Sequence, residues 1–119
     1  VGFLALAARA ILFRVVKLPA PLDEIRPRLE KAFGKRFRGV FLYGSRARGD
    51  NRSNSDLDLL VLLEGPISLA RDIGTAVDAL YPLQLQVDYP IHALPVTVEH
   101  FEARGRLLFR NVAREGIAL

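Results

Sequence analysis

The stretch GSRARGDNRSNSDLDLLVLLE, residues 44–64, sets Arg46, Arg48 and Arg52 between a Gly-Ser pair and an Asp-x-Asp pair, then turns almost wholly apolar. From Leu57 to Leu63 every residue except Asp58 is apolar, the pattern of a central strand covered on both sides for most of its length. Gly65 and Pro66 stop that strand. On the other side of the stretch, residues 39–43 (GVFLY) read as a second short strand running into the Gly-Ser turn.

Working outward, LPAPLDEIRPRLEKAF carries Leu22, Ile25, Leu29 and Phe33 at helical spacing, with Asp23 and Glu24 near the positive end of the helix dipole. Pro27 blurs its first turn and Gly34 ends it. After the apolar strand, SLARDIGTAVDALYP places Leu69, Ile73, Val77 and Leu80 on one helical stripe, with Ser68 as N-cap and Pro82 beyond the end. LQLQVDYP then alternates: Leu83, Leu85 and Val87 point one way, Gln84, Gln86 and Asp88 the other, which predicts a strand with Asp88 on its open face. A final helix is expected from Thr97 onward, with Val98, Phe101, Leu108 and Val112 as core contacts and Gly105 weakening its continuity.

The 119 residues suit one domain, and half of them are apolar, enough for a packed interior. A formal charge of +4, mostly from Arg, favours an anionic partner. Without Cys there are neither disulfides nor thiolate metal sites, which fits a reducing, cytoplasmic setting. The apolar N-terminus VGFLALAARAILFRVVKL is interrupted by Arg9 and Arg14, and its longest charge-free piece, Val1–Ala8, falls far short of the roughly 18 apolar residues of a membrane span. Residues 1–21 are therefore read as an N-terminal extension, helix or strand, and residues 22–119 as the domain proper; no membrane partner is expected.

Asp56 and Asp58 are two apart, so on a strand they project from the same face and repel each other. Divalent metal relieves that repulsion, and oxygen ligands suit Mg²⁺ or Mn²⁺. With Asp88 as a third carboxylate, the set could hold a pair of metals about 3.5–4 Å apart, as used for in-line displacement at phosphorus. Gly44 and Ser45 form a turn whose N–H groups and hydroxyl can approach a phosphate closely. Arg46 and Arg48 are placed to neutralise further phosphate charge. The pieces together describe a site for a nucleoside triphosphate with two metal ions.

This segment resembles the signature of the DNA polymerase β-like nucleotidyltransferase superfamily, and more closely its minimal nucleotidyltransferase branch: Gly44-Ser45, the ten residues Arg46 to Ser55, then Asp56-Leu57-Asp58. Tyr43 before the glycine, Ala47-Arg48-Gly49 after the serine and Ser55 before the first aspartate fit the same pattern. More weakly the likeness extends from about Leu22 to the C-terminus, including Val87-Asp88 and Arg114-Glu115-Gly116. The resemblance implies an α/β (α+β) fold, a small mixed β-sheet with helices packed on one face and the active site on the open face. It implies metal binding and catalysis by Asp56, Asp58 and Asp88, and phosphate binding by Gly44 and Ser45. It also implies transfer of AMP from ATP, or another NTP, with Mg²⁺, and antitoxins of this kind paired with HEPN-type RNase toxins.

On a chain of this length the acceptor surface is expected from a partner, which favours a toxin modified by this chain within a homo- or hetero-oligomer. The alternative is an antitoxin that neutralises by binding and masking, its nucleotide site vestigial. An RNA-binding module is the weakest reading, because no aromatic stacking platform accompanies the basic loop, so nucleic acid is not expected as a direct partner. Among the remaining residues, Pro90 argues that His92 lies at an edge or in a loop rather than in the site. His100 is assigned no role, and Phe41 and Tyr43 are expected to pack in the core.

Overall fold

In the computed structural model, residues 14–103 and 105–119 are described, and the N-terminal extension up to residue 13 lies outside them. The elements are β1 (Arg14–Val15), α1 (Ile25–Phe33), β2 (Phe37–Tyr43), α2 (Ser45–Arg48), β3 (Leu57–Leu63), α3 (Leu69–Gln84), β4 (Ile91–Thr97), α4 (Val98–Ala103), α5 (Leu107–Glu115) and β5 (Ile117–Ala118). They build one mixed sheet in the order β1-β5-β2-β3-β4. β2 is antiparallel to both β3 and β5, β3 is parallel to β4, and β1 is parallel to β5. Of the extension's described residues, Arg14–Val15 thus form a short strand at the edge of the sheet built by the described residues.

The strand periodicity of two sorts the side chains of β3 onto two faces. Leu57, Leu59, Val61 and Leu63 enter a core with Val40 and Leu42 of β2, closed by Ile25, Leu29 and Phe33 of α1 and Ala76, Leu80 and Leu83 of α3. Leu60 and Leu62 join Phe41 and Val96 on the opposite face beneath Phe101 of α4 and Phe109, Val112 and Ala113 of α5. The rings of Phe41 and Phe101 stack with centroids 5.5 Å apart. The small mixed sheet is the one expected. In addition to the helices on one face, α4 and α5 cover part of the second, and the end of that face where Asp56 and Asp58 lie remains accessible.

Three local expectations are corrected. The alternating stretch from Leu83 does not form a strand: α3 continues through Pro82 to Gln84, residues 85–90 form a turn, and the strand begins at Ile91. Leu83 is the fourth member of the helix's buried row, after Asp72, Ala76 and Leu80, so helical burial decides the segment over a brief period-two pattern. Consequently the buried stripe of α3 is rotated from the expected one, and Leu69 and Val77 are exposed. The C-terminal helix is divided, α4 ending at Ala103 and α5 starting at Leu107, with Gly105 between. α1, by contrast, has its expected buried face, Pro27 in its first turn, and Gly34 at its end with φ 58°.

Asp72, only 1 % exposed in the first turn of α3, is the one charged residue found fully buried among the described residues. Arg36, just before β2, meets it with both terminal nitrogens, Nη1 to Oδ1 and Nη2 to Oδ2, each at 2.9 Å. The same guanidinium donates to the carbonyls of Glu64 and Pro66, and the Ser68 N–H donates to Asp72 at 3.2 Å. This fork therefore ties the exit of β3 and the start of α3 to the entry of β2. The hydrogen bonds from Arg36 hold the Asp72 carboxyl below its ordinary value of 3.8, against the opposing effect of burial. Because the folded value is depressed, the stabilisation is full above pH 3.8 and is lost as pH falls through the folded value. Arg36→Ala, which leaves the buried Asp72 carboxylate with only the Ser68 N–H and Arg71 Nε at 3.9 Å, should cost about 3 kcal/mol in urea melts at pH 7. Asp72→Asn should flatten the acid limb of the stability curve; an unchanged limb would contradict this assignment.

Candidate active site

The sheet register brings together residues that are far apart in the chain. Tyr43 pairs with Asp58 across β2 and β3, and Asp58 pairs with His92 across β3 and β4. These three therefore form a row across the second face, at the end of the line that continues inward as Leu60 and Leu62. Asp56, one residue before β3, lies beside the row and is about half exposed.

Gly44 leaves β2 with φ 77°, a left-handed conformation that side chains disfavour. A Cβ at this position would lie 2.6 Å from Asp58 Oδ2, so the glycine of Gly-Ser and the second aspartate of Asp-x-Asp touch. The Gly44 carbonyl then accepts from the N–H groups of Ala47 and Arg48, both at 3.1 Å, which starts the single turn of α2. Ser45 and Arg46 are the first residues of that turn, ahead of its hydrogen-bond ladder. Gly49, with φ 82°, ends it.

Of the expected phosphate ligands, Arg46 and Arg48 have other partners. Arg46 donates from Nε to Ser55 O at 2.9 Å and from Nη2 to Ser53 O at 3.1 Å, folding the polar loop against α2. Its guanidinium also lies 3.8 Å from the centre of the Tyr89 ring. Tyr89 is held there because the Gln84 amide donates to the Tyr89 carbonyl and accepts from the Ile91 N–H, both at 2.8 Å. Arg48 pairs with Asp50 at 3.1 Å and lies 3.9 Å from Glu115 at the end of α5. Arg52 belongs to the loop's own turn, its N–H donating to Ser55 Oγ at 2.8 Å.

Burial, and then the neighbouring Asp56 charge, push the Asp58 carboxyl up, with His92 acting in the opposite sense. Burial followed by the Asp58 charge likewise raises the Tyr43 phenol. Asp88 lies exposed in the turn before β4, not on a strand, and among the described residues no group of three or more His, Cys, Asp or Glu side chains is arranged to hold a metal ion. The place beside Asp58 on the neighbouring strand belongs instead to His92, whose Nε2 is 3.1 Å from Asp56 Oδ2. His92 lies within β4, whereas the sequence, with Pro90 as the end of a strand, puts it at an edge or in a loop. In fact Pro90 precedes one, and its carbonyl accepts from the Leu57 N–H at 2.8 Å. Among the described residues β4 is an edge strand, and the side on which it is paired is the side of Asp58.

A turn without side-chain bulk, pressed against one of two mutually repelling carboxylates, is suited to a polyanion and its counter-cation. A model of the nucleotidyltransferase domain matches residues 22–113, and the chain belongs to that family. The fold is similar to that of a toxin-antitoxin protein whose crystal structure contains AMP-PNP, with a TM-score of 0.54 and 18 % identity over 80 % of this chain and 69 % of that one. No curated protein matches the sequence. Among the described residues no helix is long and apolar enough to cross a membrane.

The two carboxylates fit a divalent cation, since the strained charge is on the pair itself. Asp58, whose folded pKa is raised, weakens the fold once ionised, so its contribution is lost as pH rises through the folded value. Asp58→Asn should therefore raise the melting temperature of the metal-free protein at pH 7, with the gain vanishing below pH 3.8; a lowered melting temperature would contradict it. Gly44→Ala should cost on the order of 1–3 kcal/mol from backbone conformation alone, with a further loss from the Asp58 contact. Replacing Asp58 by Gly in the same chain should restore part of that further loss.

Proposed function

We propose that this chain is a divalent-metal-dependent nucleotidyltransferase that moves a nucleoside monophosphate, AMP from ATP, onto a hydroxyl of a partner protein. The observation that carries this reading is the contact of Gly44 with Asp58, which joins a phosphate-accepting turn to a cation-accepting pair of carboxylates. The amides at the head of α2 and the Ser45 hydroxyl hold the terminal phosphates and orient the α-phosphorus for in-line attack. Asp56 and Asp58 hold the cation, Mg²⁺ or Mn²⁺, which when bound neutralises charge on the triphosphate. The acceptor oxygen bonds to the α-phosphorus as the bond to the bridging oxygen breaks. Pyrophosphate departs and the acceptor's proton passes to solvent at this exposed mouth. Arg46 orders the loop that carries Asp56, and Asp88 lies in the turn before β4 rather than on the strand row.

The partner we infer is a toxin of HEPN type, with this chain as its antitoxin; the family membership and the structural likeness to a toxin-antitoxin protein bound to AMP-PNP support the pairing. A second reading, neutralisation by binding alone, is favoured by Leu69, Val77 and Tyr81 of α3 and Leu85 just past its end, large apolar side chains more than half exposed and spaced by multiples of four. Co-expression with a HEPN-type toxin separates the two. Under the enzymatic reading the toxin gains the mass of one AMP. Asp56→Ala with Asp58→Ala removes both that mass and neutralisation. Neutralisation that survives the double substitution would support masking.

A further inference from the structure

Of the two site carboxylates, Asp58 lies within β3 and is fixed by strand pairing on both sides, to Tyr43 and to His92. Asp56 comes one residue before the strand, at the end of the polar loop, where no ladder holds it. The residues on either side of it are held instead. Ser55 accepts from Arg46 Nε through its carbonyl at 2.9 Å, and the Leu57 N–H donates to the Pro90 carbonyl at 2.8 Å. Both anchors lead to the turn before β4, whose last two residues are Tyr89 and Pro90. The Arg46 guanidinium rests 3.8 Å from the centre of the Tyr89 ring, and Tyr89 packs against the core beneath α1 and α3. One side chain closes the turn: the Gln84 amide, at the end of α3, donates to the Tyr89 carbonyl and accepts from the Ile91 N–H, both at 2.8 Å.

We propose that Gln84 and Tyr89 are positioning residues for Asp56: through Arg46 and Pro90 they set where the first carboxylate of the Asp-x-Asp pair stands relative to the second. The inference rests on the nucleotidyltransferase reading above. Carboxylates already held in place bind a cation without first losing conformational freedom, whereas a loose loop must be ordered by the ion at a cost in affinity. Asp58 is ordered by the sheet, so the loop before β3 is where that cost would fall. Gln84 and Tyr89 act only through the backbone on either side of Asp56 and through Arg46. The ring of Tyr89, not its phenol oxygen, meets the guanidinium, so Tyr89→Phe keeps the contact.

Calorimetric titration of the whole chain with Mg²⁺ in the presence of α,β-methylene ATP tests this. Tyr89→Leu, which keeps apolar bulk against the core but removes the ring face under Arg46, should weaken Mg²⁺ binding about tenfold. Tyr89→Phe should bind as the wild type does. Gln84→Ala, a substitution at the last residue of α3, removes both bonds that close the turn while leaving the core intact, and should weaken Mg²⁺ binding to a similar extent. In the metal-free protein, amide hydrogen exchange at Leu57, whose N–H reports the Pro90 anchor directly, should be faster in both weakened variants than in the wild type. A role confined to folding would lower the melting temperature of Tyr89→Leu and Gln84→Ala and leave the Mg²⁺ dissociation constant unchanged. That result would overturn the positioning role and leave the nucleotide site standing. Failure of Mg²⁺ and the analogue to bind the wild type at all, with Asp56→Ala and Asp58→Ala no different from it, would overturn both.

Discussion

The Asp58 carboxylate lies so close to Gly44 that no side chain fits between them. Everything else in the site follows from that contact. β2 must end in a glycine with φ 77°, the chain must turn at once into α2, and the register of β2 with β3 must set Tyr43 opposite Asp58. A slip of one residue would move Asp58 to the face covered by α1 and α3 and bring Leu57 or Leu59 to the open end. Because β3 is apolar on both faces and buried by two separate clusters, such a slip exchanges Leu for Leu along most of the strand, and Asp58 at its polar end is the residue that would carry the penalty.

The charge pattern that made the polar loop conspicuous is for the most part structural. Arg46 pins the loop by its carbonyls and stacks on Tyr89, and Arg48 is shared between Asp50 and Glu115. Cations near a phosphate site need not touch phosphate. Here they set where Asp56 and the Gly-Ser turn lie relative to each other, and the field they add at the mouth still favours an anion. The unrelieved charge resides on Asp56 and Asp58, where a cation would settle it.

The residues from Leu57 to Leu63 announced a buried central strand, and the helical spacing of Ile25, Leu29 and Phe33 announced α1, because both patterns reflect burial directly. The Gly-Ser and Asp-x-Asp spacing was legible for the same kind of reason: only certain residues tolerate the turn and the charge. The segment around Leu83 was not legible. Its alternation spans few residues, and whether Leu83 belongs to a helix or a strand depends on Ala76 and Leu80 lying beneath the sheet, a tertiary fact. The shift of the strand by several residues also conceals His92, whose place beside Asp58 depends on cross-strand pairing that no local pattern records. Gln84, which ties Tyr89 and Ile91 in place, was concealed in the same way.

The central claim is that the two halves of the sequence motif form a single nucleotide site. Backbone amide chemical shifts of the ¹⁵N-labelled chain, titrated with α,β-methylene ATP in the presence and absence of a diamagnetic divalent cation, test it most directly. The account predicts that Gly44, Ser45, Arg46 and Asp58 shift together and only when nucleotide and cation are both present. Shifts at Gly44 and Ser45 that ignore the cation, or nucleotide-induced shifts centred elsewhere on the sheet, would contradict it.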